Sequence, residues 1–104
     1  MICRRFSARA TEQNAKAYYA FVQDTLLPEL RAFPGHCGAI VCSRITGKGN
    51  EQIVVLTFWE SMDELELFAG DATRAVLSDD TRKLFNSFDE DVILYGVSVN
   101  TFAA

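Results

Sequence analysis

The sequence QIVVLTFWESMDELEL, residues 52–67, predicts a covered strand that runs directly into a helix. Residues 52–59 carry no charge and are rich in β-branched and aromatic side chains, which is typical of a buried strand. A strand that is apolar on both faces belongs in a sheet that is covered on both sides. One face carries Ile53, Val55 and Trp59, and the other carries Val54, Leu56 and Phe58.

Capping residues mark where the predicted helices begin. Ser61-Met-Asp-Glu64 is a capping box, which opens a helix that we expect to end near Gly70. Thr11 caps an earlier helix with one apolar stripe, and Pro28 predicts a kink or a fresh first turn inside it. Ser78 or Asp79 caps a third helical segment over residues 79–88.

The remaining segments predict three further strands, at residues 2–9, 36–46 and 92–100. The turn sequence Gly47-Lys-Gly-Asn50 joins the second strand to the central one as an antiparallel hairpin. The order is therefore β-α-β-β-α-β, which predicts an α+β ferredoxin-like fold with both helices on one face of the sheet.

The face of the sheet without helices also needs a cover. We expect Ile53, Val55, Ile93, Val97 and Val99 on that face, and so many apolar side chains are not left in water. The chain has no further element to cover them, whereas a second copy would place two sheets face to face. The pattern thus predicts a homodimer.

Composition excludes several classes of protein. The 104 residues have room for one domain, 1–104, and the net charge of −4 argues against nucleic-acid and anionic-membrane partners. No apolar stretch follows the early arginines, so we expect no secretory signal. Three cysteines, an odd number, favour a reducing compartment, and the expected location is the cytoplasm.

Residue spacing argues against a metal site. His36 and Cys37 are adjacent in a strand and point to opposite faces, as do Cys37 and Cys42. His36 and Cys42 share a face but stand about 20 Å apart at the rise of a strand. We therefore expect no metal and reduced, structural thiols.

Four short motifs resemble a known family over nearly the whole chain. Phe33-Pro-Gly35, Leu56-Thr-Phe-Trp-Glu-Ser61, Phe68-Ala-Gly70 and Asp89 shortly before Tyr95 resemble the antibiotic biosynthesis monooxygenase-like domains. The resemblance implies a dimeric α+β barrel. Some members of that family oxidise polycyclic phenols with dioxygen and neither metal nor flavin, and others degrade haem or act on quinones.

The resemblance does not extend to the haem-degrading branch. Aligned on Trp59-Glu-Ser61, that branch has a helix tryptophan at the position of Phe68 and an iron-ligating histidine at the position of Ser78. Many relatives also carry histidine where this chain has Leu94, and tryptophan where it has Phe6. We therefore expect no haem breakdown and no cofactor.

Three residues are candidates for catalysis, each with a structural alternative. The Tyr95 phenol is able to hydrogen-bond a substrate oxygen or a partner at a dimer interface. His36 is the only histidine, suited to proton transfer near neutral pH, but it lies at a strand end where a solvated imidazole is common. Arg4 would stabilise a phenolate or a dioxygen-derived anion, or form a salt bridge at the barrel end or between subunits.

Four residues are candidates for binding an aromatic substrate. Trp59 would stack on a flat ring, or anchor the helix on the sheet and donate its N–H to a backbone carbonyl. Phe6 would stack beside it, and the resemblance adds Phe68. Of Tyr18 and Tyr19, one is expected to face the pocket and the other the surface.

Two hypotheses of function follow. In the first, a cofactor-independent monooxygenase or related oxidoreductase acts on a phenolic or quinol-like aromatic, with the substrate itself passing an electron to dioxygen. In the second, the chain is a non-catalytic dimeric module for small-molecule binding or interaction, which fits the absence of a well-placed histidine or carboxylate.

Overall fold

The centre of the molecule is an antiparallel pair of strands, β1 (Ile2–Thr11) and β3 (Asn50–Trp59). In the computed structural model, which describes residues 1–102, these strands pair along their whole length, from Ile2 opposite Trp59 to Thr11 opposite Asn50. The last two residues of the predicted domain 1–104 lie outside the described range. Strand β2 (His36–Gly47) forms a hairpin with β3 at one edge of the sheet.

The other edge of β1 is shared by two short strands. β4 (Ser87–Phe88) pairs with β1 at Ala8 and Arg9, and β5 (Ile93–Gly96) pairs with it from Ile2 to Arg5. The sheet order β2-β3-β1-β4, with β5 also on β1, confirms the predicted ferredoxin-like α+β class.

The helices pack against one face of this sheet. They are α1 (Glu12–Phe21), α2 (Leu27–Arg31), α3 (Met62–Ala69) and the single turn α4 (Asp79–Arg82). The predicted caps are confirmed, because the hydroxyl oxygens of Thr11, Ser61 and Ser78 accept hydrogen bonds from backbone N–H groups three residues later. Within residues 1–102, no helix is both long and apolar enough to cross a membrane.

A π-helical turn (Val22–Leu26) separates α1 from α2. It precedes Pro28, which lacks an N–H group and whose ring would clash with a carbonyl of a regular preceding turn. The wider turn accommodates the proline, and α2 begins immediately, with Pro28 in its first turn. The interruption predicted at Pro28 is therefore confirmed.

The segment that precedes the last strand differs from the sequence prediction. The helix expected over residues 79–88 ends at Arg82, and the chain then turns to the edge of β1. There the Asn86 N–H donates to the Arg9 carbonyl at 2.7 Å, and the Asp89 N–H to the Ser7 carbonyl at 3.0 Å. Pairing with an open strand edge has thus overridden the local helical pattern.

The last strand is shorter than the predicted range 92–100. β5 covers Ile93–Gly96, and one further hydrogen bond joins the Val97 N–H to the Met1 carbonyl at 2.9 Å. Val99, beyond this last hydrogen bond, has 86% of its surface exposed.

The assignment of the two sheet faces also requires correction. Ile53 and Val55 are buried under the helices, whereas we expected them on the face without helices. Arg5 lies opposite both Leu56 and Ile93, so these two side chains share the outer face. The two faces of β3 are both apolar, and only the contacts with the helices distinguish them.

We predict that Gly35→Ala destabilises the protein more than Gly49→Ala. Both glycines have a left-handed backbone, with φ of +79° and +77°, so both substitutions strain the chain. A Cβ atom at Gly35 would also collide with the Glu64 carboxylate, whereas nothing lies within 4 Å of one at Gly49. Urea unfolding should show a loss of about 2–4 kcal/mol for Gly35→Ala and about 1 kcal/mol for Gly49→Ala. Equal losses would mean that Glu64 moves aside at no cost.

Candidate functional site

A cavity of about 230 Å³ lies between the sheet and the helices. Its floor is formed by neighbouring side chains of β1 and β3, because Arg4 lies opposite Thr57 and Phe6 lies opposite Val55 in the sheet register. Alternation along both strands directs these four side chains to the helix-covered face. The floor is therefore fixed by the most regular part of the fold.

The walls of the cavity come from the helical layer. One wall is formed by α1, the π-helical turn and α2, and the other by α3 and the segment that leads into α4. The first wall contributes Tyr18, Phe21, Leu26 and Leu30, and the second contributes Phe68, Val76, Leu77 and Ser78. The enclosure is mainly apolar and strongly aromatic.

Arg4 is the one charged side chain buried among the described residues. Its exposed fraction is 6%, and its Nη2 donates a hydrogen bond to the Arg74 carbonyl oxygen at 2.6 Å. Its Nε is buried and has no hydrogen-bond partner within residues 1–102. Burial lowers the pKa of the guanidinium, and the neighbouring Tyr18 partly opposes this effect. An arginine nevertheless remains charged in proteins.

Tyr18 is a second polar group in the same enclosure. The residue is 2% exposed, and its ring meets Phe85 edge-on with 5.0 Å between ring centroids. Burial raises the pKa of Tyr18 to about 12, with a smaller opposing effect from Arg4. The phenol therefore stays protonated near neutral pH and is available as a hydrogen-bond donor. Tyr19, by contrast, donates to the Glu51 carboxylate at 2.9 Å outside this cavity.

Trp59 lies behind the cavity and does not line it. It is 0% exposed, and its Nε1 donates to the Thr57 hydroxyl oxygen at 3.0 Å. Its indole stacks on Phe68, with 5.3 Å between centroids and 21° between planes. Within the described structure Trp59 thus supports two lining residues, Thr57 and Phe68, and is separated from the cavity by them.

His36 lies beyond Trp59, also outside the lining. Its ring meets the indole edge-on at 5.2 Å, because His36 and Trp59 are partners in the β2–β3 register. Its Nε2 is buried and has no hydrogen-bond partner within residues 1–102. Burial lowers the pKa of His36, and the positive charge of Arg31 adds to this effect.

Tyr95 lies on the opposite face of the sheet. It pairs with Cys3 in β5 and is 47% exposed, whereas the adjacent Leu94 packs against the core. Within one chain, its phenol does not reach the cavity. A role for Tyr95 in a ligand site stays a prediction that concerns the outer face.

The structure brings four of the seven candidate residues around one cavity: Arg4, Phe6, Tyr18 and Phe68. Thr57 and Thr81 also contribute hydroxyl groups to the lining, although no pattern in the sequence marks them, and the sequence predicts only a capping role for Ser78. For Ser78 a signal existed, since the family resemblance placed an iron-ligating residue at that position. The positions of Phe68 and Ser78 both line the cavity here, although their side chains differ from those of the haem-degrading branch.

Comparisons with known proteins identify the fold. No family model and no curated protein match the sequence. Among solved structures, a candidate antibiotic biosynthesis monooxygenase from Deinococcus radiodurans superposes with a TM-score of 0.69 at 14% identity, covering 99% of this chain and 100% of that one. The fold-level likeness to antibiotic biosynthesis monooxygenase-like proteins is therefore confirmed.

Two further solved structures share the fold. The haem degrader MhuD from Mycobacterium tuberculosis, with two haems bound in its active site, has a TM-score of 0.61 at 13% identity and covers 96% of this chain and 99% of its own. A dimeric ferredoxin-like protein from an uncultured marine organism has a TM-score of 0.50 at 14% identity, with coverages of 99% and 98%.

The donor set of this cavity does not fit haem iron. Neither an imidazole nor a thiol is among its described lining residues, and the only histidine of the chain lies outside it. The Tyr18 phenol, whose pKa burial raises to about 12, stays protonated and is not available as a phenolate ligand. Within residues 1–102, no three His, Cys, Asp or Glu side chains cluster to hold a metal ion. The likeness to MhuD therefore concerns the fold and not the residues that would bind iron.

We predict that His36 titrates below 6.5, its ordinary pKa. Because the folded protein binds this proton less tightly than the unfolded chain, the free energy of unfolding should decrease as the pH falls below 6.5 towards the folded pKa. His36 is the only histidine, so one NMR titration of its ring protons reads the value directly. Arg31→Gln should move the midpoint upwards, and a midpoint at or above 6.5 in the parent protein would contradict the burial of Nε2.

Proposed function

We propose that the chain is a cofactor-independent monooxygenase, or a related oxidoreductase, that acts on a small phenolic or quinol-like aromatic in the cavity. One observation carries this proposal: the enclosure combines aromatic side chains with two buried polar groups, those of Arg4 and Tyr18. A mostly apolar pocket with a few convergent polar groups is the usual form of a small-molecule site. The shared fold of monooxygenase-like proteins supports the reaction class.

The chain's own residues would bind the substrate and exclude water. Phe6 and Phe68 would contact the flat ring, and Tyr18 would orient a ring oxygen by donating a hydrogen bond. Arg4 would stabilise the substrate anion and the negative charge that develops when an electron passes to dioxygen. In the balanced reaction, the substrate loses two hydrogen atoms and gains one oxygen atom, and the second oxygen atom leaves as water.

The second candidate function is a non-catalytic module that binds a small molecule. One feature favours it: Glu29 is the only carboxylate among the cavity-lining residues, and its side chain is exposed at the rim. The lining residues therefore provide no enclosed carboxylate or imidazole as a general base. Such a module would bind the same aromatic ligands without consuming dioxygen.

We predict that the protein converts 1,5-dihydroxynaphthalene to 5-hydroxy-1,4-naphthoquinone with uptake of one dioxygen per substrate. After subtraction of the uncatalysed rate, mass spectrometry with oxygen-18 gas should find one labelled atom in the product. Leu77→Trp should lower the rate at least tenfold, because the larger side chain would occupy the cavity.

The matched control for this experiment is Leu67→Trp. Leu67 is 67% exposed on α3 and does not line the cavity, so its replacement should leave the rate unchanged. Saturable binding without oxygen uptake would favour the non-catalytic module. An unaltered rate in Leu77→Trp would place the reaction elsewhere.

We also infer that the protein is a homodimer formed through the outer face of the sheet. That face carries partly exposed apolar side chains, among them Ile40 at 39%, Ile93 at 47% and Tyr95 at 47%. A soluble monomer seldom exposes a continuous apolar surface of this kind. The dimeric state of one protein with the same fold supports the inference.

We predict that Ile40→Glu converts a dimer to a monomer, because it places a charge beside Leu56 on the outer face, away from Arg5. Light scattering coupled to gel filtration should give twice the 11.6 kDa chain mass for the parent protein and the single chain mass for the variant. Ile45→Glu is the control, since Ile45 is 79% exposed near the β2–β3 turn. A monomeric parent protein would contradict the inference.

We further propose a cytoplasmic location. Cys3, Cys37 and Cys42 are all free, and unpaired thiols persist in a reducing compartment.

A further inference from the structure

Within residues 1–102, Arg4 is a buried cation without a partner of opposite charge. The ion pairs of these residues engage other cations, because Arg9 lies close to Asp89, Arg74 close to Glu90 and Asp91, and Lys16 close to Glu12. The hydrogen bond from Arg4 goes to a neutral carbonyl, and its Nε has no partner in the described part of the chain. No acidic group of the described residues 1–102 therefore balances the positive charge of the guanidinium.

Such an arrangement is unfavourable unless something else supplies the negative charge. Transfer of a charged group from water into an apolar enclosure costs free energy, and an ion pair is the usual compensation. Because the guanidinium does not deprotonate, the cost is not avoided by a change of charge. Arg4 lines a cavity that is open to a ligand, so an anion in that cavity would supply the compensation.

The surroundings of Arg4 indicate the rest of the ligand. Phe6 and Phe68 present aromatic surface to the same cavity, and the protonated Tyr18 phenol is a second donor close enough to Arg4 for the two to perturb each other electrostatically. A planar guanidinium pairs well with the oxygen atoms of an anion. The volume of about 230 Å³ is smaller than the roughly 300–1,000 Å³ usual for drug-sized ligands, which favours a molecule of one or two rings.

We propose that Arg4 and Tyr18 form an anion subsite, and that the ligand is a one- or two-ring aromatic that carries an anionic oxygen. The oxygen belongs either to a carboxylate attached to the ring or to an ionised ring hydroxyl. This inference rests on the proposed function to the extent that both place an aromatic molecule in the same cavity. It adds that the ligand binds as an anion, whether or not turnover follows.

The test is isothermal titration calorimetry with two pairs of probes, each an anion and a neutral analogue of similar shape. At pH 8 the pairs are 2-naphthoate with 2-naphthamide, and 4-nitrophenol, which is then largely ionised, with 4-nitroanisole. A charge-assisted hydrogen bond predicts that the parent protein binds at least one anion about tenfold or more tightly than its neutral analogue. Arg4→Met should abolish this preference, so that the anion and its neutral analogue bind with equal affinity.

Arg5→Met is the matched control. Arg5 is the next residue of β1 and lies on the outer face, opposite Leu56 and Ile93, so its replacement should retain the preference. Tyr18→Phe should reduce the preference by about threefold to tenfold, through loss of one hydrogen bond. If Arg4→Met does not fold, Arg4→Lys is the alternative variant. It keeps the positive charge but not the planar guanidinium, so it should retain only part of the preference for the anion.

The outcomes separate this inference from the proposed function. A preference for the carboxylate pair alone, or for the phenol pair alone, supports the inference and identifies the source of the anionic oxygen. Equal affinity for anion and neutral analogue in both pairs overturns the inference while leaving an aromatic site in place. If none of the four probes binds, both proposals are overturned. An anion preference without oxygen uptake supports the inference and contradicts the monooxygenase.

Discussion

The continuous pairing of β1 with β3 is the constraint on which the rest of the structure depends. Ten residues of each strand are in register, so alternation decides which side chains face the helices along the whole length. Arg4 and Phe6 face inwards for this reason, opposite Thr57 and Val55. A slip of one residue would move this entire set to the outer face and remove the floor of the cavity.

The helical layer completes the cavity through its two non-α-helical segments, which place side chains in the two walls. The π-helical turn before Pro28 carries Leu26 into the first wall, and the segment between α3 and α4 brings Leu77 and Ser78 to the second. Arg4 also holds that second wall, since it donates to the carbonyl of Arg74 at 2.6 Å. Arg4 thereby links the sheet to the second wall and supplies the positive charge of the site.

Much of the fold could be predicted from local signals, whereas the choice of the sheet face that the helices cover could not. The capping hydroxyls of Thr11 and Ser61 act within one turn, so their effect is visible in the sequence. The two faces of β3 are both apolar, and their pattern does not say which one the helices cover. The short strand at Ser87 and Phe88 arises from pairing with β1, which is distant in sequence and was not visible in the helical pattern of residues 79–88.

The same difference between local and long-range signals decides which residues of the candidate site could be predicted. The position of Arg4 on the same face as Phe6 could be foreseen, because the two residues alternate in step along β1. The position of Tyr95 could not, since the face of β5 follows from its pairing with Cys3. Trp59 was correctly placed at the junction of strand and helix, but its burial behind Phe68 depends on tertiary packing.

No acidic group within residues 1–102 balances the buried charge of Arg4, and the proposed anionic ligand would supply the missing negative charge. The most direct measurement is the free energy of unfolding of Arg4→Met without ligand, compared with that of the parent protein. Replacement of an unpaired buried charge by an apolar side chain of similar length should raise this free energy by about 1–3 kcal/mol. A decrease of about 3–5 kcal/mol, as expected when one member of a buried ion pair is removed, would show that the chain itself balances the charge and would contradict a ligand as its counter-charge.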